Sequence, residues 1–106
     1  MITHKDFKKL EIKIGTIKSV ERVEDSEKLL KLDVDLGSET RQILVGIQEF
    51  YEPKDLIGKQ VPILVNLEPK KMAGQISEGM MLAVDVGGTP VLLSPSEKIP
   101  AGSAIR

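Results

Sequence analysis

From Leu30 to Leu36 every second residue is apolar and every residue between is charged: Leu30, Leu32, Val34 and Leu36 alternate with Lys31, Asp33 and Asp35. A helix would scatter those four apolar groups over opposite sides. A strand places them on one face, so this stretch is a half-buried strand with its charges outward. Gly37 ends it, "GSET" supplies a tight turn, and "RQILVGI" returns with Ile43, Val45 and Ile47 turned inward. The pair is a β-hairpin, and the rest of the chain must build around a sheet.

The flanking segments extend that sheet. "EIKIGTIKSVERV" alternates at Leu10, Ile12 and Ile14 before its apolar phase shifts to Ile17. Gly15 lies at the shift, which predicts a bulge in a bent first strand. Ahead of it, Thr3 is a good N-cap for a short helix over about Lys5–Lys9. In "EFYEPKDLIGK", Pro53 suits a first helical turn and Gly58 the position past its end. "QVPILVNL" resumes alternation, with Pro62 pointing to a strand start or edge. "GMMLAVDV" predicts a fifth strand, and "PVLLSP" and "KIPAGSAI" are short apolar pieces beyond it. The sum is an all-β chain: a five-stranded OB-fold barrel with short helices and extra C-terminal strands, residues 1–106 forming one domain.

Composition removes several function classes. The 106 residues include no cysteine, which excludes disulfides and thiolate chemistry, and His4 is the one histidine. No Walker loop, G-x-G-x-x-G or H-E-x-x-H occurs. Asp33 and Asp35 share a strand face without a nucleophile or metal partner, so a solvated face is the expectation. "VGGTP" is a turn between strands. No cofactor and no catalysis are expected. No apolar run approaches the ~20 residues of a membrane span, and the start is too polar for a secretory signal. No membrane partner and a cytoplasmic location are expected. Net charge is −1, yet it is unevenly spread. Residues 1–18 hold five lysines against Asp6 and Glu11, which is +3; residues 59–74 hold three lysines against Glu68, which is +2. Local basic patches of this kind bind phosphate, and they equally serve solubility.

The second patch lies in "NLEPKKMAGQISEGMML", Asn66–Leu82. In the barrel plan this is the loop between strands four and five, beside the usual binding face of strands two and three. Lys70 and Lys71 suit phosphates, Asn66 and Ser77 suit sugar or base edges, and Met80 is adaptable and apolar. Met72, Met80 and Met81 equally suit a plug for the barrel end. Single-stranded nucleic acid is usually held by aromatic stacking, and the aromatics here are Phe7, Phe50 and Tyr51. Phe7 and Phe50 are expected to seal the barrel ends, with Tyr51 core or rim. An RNA ligand would then be read through phosphates, 2′-hydroxyls and shape.

"DFKKLEIKIGTI", "SEKLLKLDVDLG", "RQILVGI", "YEPKDLIGKQVPILVNLEPKKMAGQISEGMMLA" and "LLSP" together resemble the tRNA-binding domain appended to methionyl-tRNA synthetases. The same module is found free-standing and in the endothelial-monocyte-activating polypeptide family. The likeness runs from about Asp6 to Gly102. It implies an OB-fold that binds the outer corner of tRNA without catalysis, usually as a homodimer built on the terminal segments. Carried onto this chain, the implied groove residues are Lys28, Lys31 and Arg41 on the face of strands two and three. Asn66, Lys70, Lys71, Ser77 and Met80 come from the loop. A methionyl-tRNA synthetase catalytic chain is an implied partner. A related module is a secretion-linked, chaperone-like homodimer that binds unfolded peptide, and Met80 fits that reading too.

Overall fold

The computed structural model describes all residues, Met1–Arg106. Strand β1 (Ile12–Arg22) is the backbone of the sheet. It pairs antiparallel with β2 (Leu30–Asp35) along its second half and with β4 (Gln60–Leu64) along its first. β2 pairs with β3 (Thr40–Val45), and β4 with the short β7 (Met80–Met81). The sheet order is β3-β2-β1-β4-β7, and the antiparallel barrel is nearly closed. Its core holds Ile17, Leu30, Leu32, Val34, Leu36, Ile43, Ile47, Leu56, Val61, Ile63, Val65 and Met81. The alternating Leu30–Leu36 face is therefore inward along its whole length. Helix α1 (His4–Phe7) starts at Thr3 with a capping box: the Asp6 N–H donates to Thr3 Oγ1, and the Thr3 N–H donates to Asp6 Oδ2. Helix α2 (Pro53–Leu56) opens on Pro53 and buries Leu56.

The bulge in β1 is not at Gly15. The register shifts between Ile17 and Ser19. Gly15 answers a different need, because a Cβ there would lie 2.2 Å from Val34 Cγ1. The apolar phase change arises because β1 is covered on both sides. Ile17 joins the core, whereas Ile12 and Ile14 line a groove with Leu93, Pro95, Ile99 and Ile105. Pro62 sits inside β4, opposite Ile14, and not at its start. It is tolerated because Ile14 sends its own N–H and C=O away from β4, to Ser103 and Gly102. The ring thus faces the side where β7 is short, and the Pro62 carbonyl still accepts from the Leu82 N–H at 3.0 Å.

The expected fifth strand is two elements. β7 ends at Met81; β8 (Ala83–Val86) then turns away to pair with β9 (Thr89–Leu92) in a separate hairpin closed by Gly87 and Gly88. β10 (Ala104–Ile105) returns to pair with Ile12 and Lys13 of β1. The loop between β4 and β7 is itself folded, as a hairpin of β5 (Lys70–Met72) and β6 (Gln75–Ser77). Ala73 and Gly74 form its two-residue turn, both at positive φ (48° and 78°), which matches strand twist in tight hairpins. Phe7 and Phe50 do not seal the barrel: they are 38% and 45% exposed. Tyr51 does pack on the core, and its hydroxyl donates to the Pro90 carbonyl at 2.8 Å. No helix is long and apolar enough to cross a membrane.

Candidate nucleic-acid interface

Lys70 and Lys71 open β5, and both are exposed. Lys70 pairs with Ser77 and Lys71 with Ile76. Successive strand residues project to opposite faces, so the two lysines stand on opposite sides of the hairpin. Neither has a carboxylate within 4.0 Å, and Lys28, exposed before β2, is likewise unpaired. These three ammonium groups carry uncompensated charge.

The two other candidate cations, Lys31 and Arg41, are differently employed. Lys31 faces outward from β2, but its Nζ lies 3.2 Å from Glu21 Oε2. Arg41 is not on that outward face. It pairs with inward-facing Val34, so its side chain leaves the inner side of β3 at the barrel mouth. There its guanidinium donates to the carbonyls of Val65 and Glu78. It also grips both oxygens of Glu39, at 2.7 and 3.3 Å. That hydrogen bonding holds the Glu39 carboxyl below the usual carboxylate range and raises Arg41 further. The pair is intact at neutral pH and is lost only as acid protonates Glu39.

Asn66 and Ser77 are both committed to bonds within the chain, Asn66 at the surface and Ser77 in the interior. Asn66 Oδ1 accepts the Glu11 N–H at 2.8 Å, and its amide donates to the Lys9 carbonyl at 2.6 Å. It ties the entry of β1 to the end of β4. Ser77 is 4% exposed. Its hydroxyl accepts the buried Leu44 N–H at 3.0 Å and donates to the Gly79 carbonyl at 2.9 Å. It stands in for a ladder hydrogen bond where β3 meets β6. The methionines divide: Met81 is core, Met72 is half-buried, and Met80 is 44% exposed on the face opposite Met81.

Two residues without a place in the sequence-derived set hold this region together. The Gln42 side-chain amide donates to the Ile76 carbonyl at 2.8 Å. The Glu78 N–H donates to the Gln42 carbonyl at 2.8 Å, and Glu78 Oε1 accepts the Gln42 N–H at 3.2 Å. The signal was the alternation of β3 itself: it puts Arg41 inward with Ile43 and Gln42 outward, toward the loop. No group of three histidine or carboxylate side chains is placed to hold a metal ion.

A small barrel whose four-to-five loop is a hairpin bearing unpaired lysines defines a polyanion-binding module of the OB class. The chain matches the family described as "Putative tRNA binding domain" over residues 12–104, and it belongs to that family. It is 47% identical, over its full length, to a methionine–tRNA ligase of Methanothrix thermoacetophila, of which it spans 16%. A methionyl-tRNA-synthetase-related protein of Pyrococcus horikoshii has the same fold, with a TM-score of 0.95 and 34% identity over 100% of this chain and 98% of that one. The chaperone CsaA of Bacillus anthracis is also similar, with a TM-score of 0.90 and 34% identity over 100% and 99% of the two chains.

Proposed function

We propose that residues 1–106 act as one non-catalytic unit that binds tRNA by its folded shape, with Lys70, Lys71 and Lys28 as its phosphate contacts. The observation that carries this reading is the pair of unpaired lysines on the β5–β6 hairpin, in a chain of this family. Lys31, Arg41 and Met80 border that surface, while Ser77 supports it from within and Asn66 ties the strand ends beside it. Wild-type protein is expected to retain bulk tRNA at low salt, with little preference among amino-acid identities, and to lose it steeply as salt rises. Retention unchanged by salt, or none at low salt, would sink this reading. The natural setting we propose is cytoplasmic, beside or joined to a methionyl-tRNA synthetase catalytic chain, as the 16% span of the Methanothrix ligase suggests.

The protein acts as a homodimer in this proposal. Phe7, Leu10 and Ile105 stay exposed around one groove of about 580 Å³, and Leu93 and Pro95 line a second of about 470 Å³. Ile12, Ala104 and Ile105 belong to both, so the apolar surface is continuous. Continuous apolar patches of this kind mark interaction sites. Sedimentation at micromolar concentration should give a two-chain mass; a one-chain mass with and without tRNA would argue against the dimer.

The likeness to CsaA supports a second reading, in which the same surface takes unfolded peptide. Ile76 and Met80 are its exposed apolar groups. Met80→Ala then reduces peptide binding while the lysines matter little. For tRNA the order reverses, and Met80→Ala leaves the salt dependence as it was, since it removes no charge.

A further inference from the structure

A two-stranded hairpin of three residue pairs is marginal on its own. The direction in which β5–β6 presents Lys70 and Lys71 must therefore be set by what ties it to the barrel. Those ties converge on one short seam. Ser77 reaches the Leu44 N–H, Glu78 exchanges backbone and side-chain bonds with Gln42, and the Gln42 amide reaches the Ile76 carbonyl. The Ser77 bond is buried and closes the barrel. The Gln42 side chain is half-buried, and its bond lands on the hairpin strand itself, at the residue paired with Lys71. Removing it leaves every backbone bond of the seam in place.

We infer that Gln42 is a positioning residue for RNA: its side-chain amide sets the angle at which the hairpin holds Lys70 and Lys71 toward phosphate. The inference rests on the proposed role of those two lysines. It has a consequence that a merely structural role lacks. The slope of affinity against salt counts the phosphates neutralised by the protein. A hairpin released from Gln42 keeps both positive charges but places them on fewer phosphates. An uncharged substitution in β3 then lowers the salt slope.

The test uses Gln42→Met, which keeps length and loses the donor, with Gln42→Ala beside it. Both are titrated with bulk tRNA over a salt series, alone and combined with Lys70→Ala/Lys71→Ala. Each Gln42 variant is expected to lose about three- to tenfold in affinity at low salt. Each should also flatten the slope by roughly one unit, with folding verified by thermal unfolding. In the Lys70→Ala/Lys71→Ala background neither should have further effect. A wild-type slope in folded Gln42 variants, while the lysine double variant has a flattened one, overturns the inference and leaves the lysines' role standing. Equal, additive losses in both backgrounds also overturn it. If the lysine double variant itself binds like wild type, the lysine reading fails and the Gln42 inference falls with it.

Discussion

Replacing Lys70 and Lys71 together by alanine is expected to weaken tRNA binding by about 2 kcal/mol, roughly thirty-fold, and to flatten the dependence of log affinity on log salt by roughly two units. The size follows from their surroundings. A lysine already paired with a carboxylate gives up that partner when it binds phosphate, so its net gain is small. Neither of these lysines has such a partner. Lys31, held 3.2 Å from Glu21, should contribute less when replaced in the same way. A salt titration of wild type and the double variant checks this, and superimposable curves would remove the hairpin from the binding surface.

Ser77→Ala should act on the fold first. It strips the hydroxyl from a buried position and leaves the Leu44 N–H without its acceptor. An orphaned buried donor costs about 1–3 kcal/mol. For a chain of this size, each kcal/mol lowers the unfolding midpoint by roughly 4–8 °C. Differential scanning calorimetry of the variant reads the effect directly. A wild-type midpoint together with a loss of tRNA affinity would place the Ser77 hydroxyl on the ligand instead.

That contrast between Lys70 and Ser77 shows where a sequence is readable. The strand at Leu30–Leu36 was legible because one of its faces is core and the other is solvent, so burial writes a period of two. Pro53 and Gly58 marked α2 through backbone restrictions that act locally. The β5–β6 hairpin left no such pattern, since each strand has three residues and little of either face is buried. The run from Met80 to Val86 looked continuous because its residues are almost all apolar. Val84 and Val86 are nevertheless exposed, on a hairpin outside the barrel. The hairpin lysines stood out as candidates from charge alone. Asn66, Ser77 and Gln42 were not assignable to their roles, because a polar side chain looks the same whether it meets a ligand or, as Gln42 and Asn66 do, a carbonyl 34 or 57 residues away.

The pairing of β1 also governs how this molecule assembles in time. Its partners are β2, β4 and, at Ile12 and Lys13, β10. Only β2 is near in sequence. Ile14 completes its backbone bonds with Gly102 and Ser103. A topology ruled by such distant pairings folds in about milliseconds to seconds, where a local helical bundle needs microseconds to milliseconds. During translation the first strand emerges long before most of its partners. It waits as an open apolar edge until residues 102–105 have been made, and during that interval the chain is most exposed to wrong pairing.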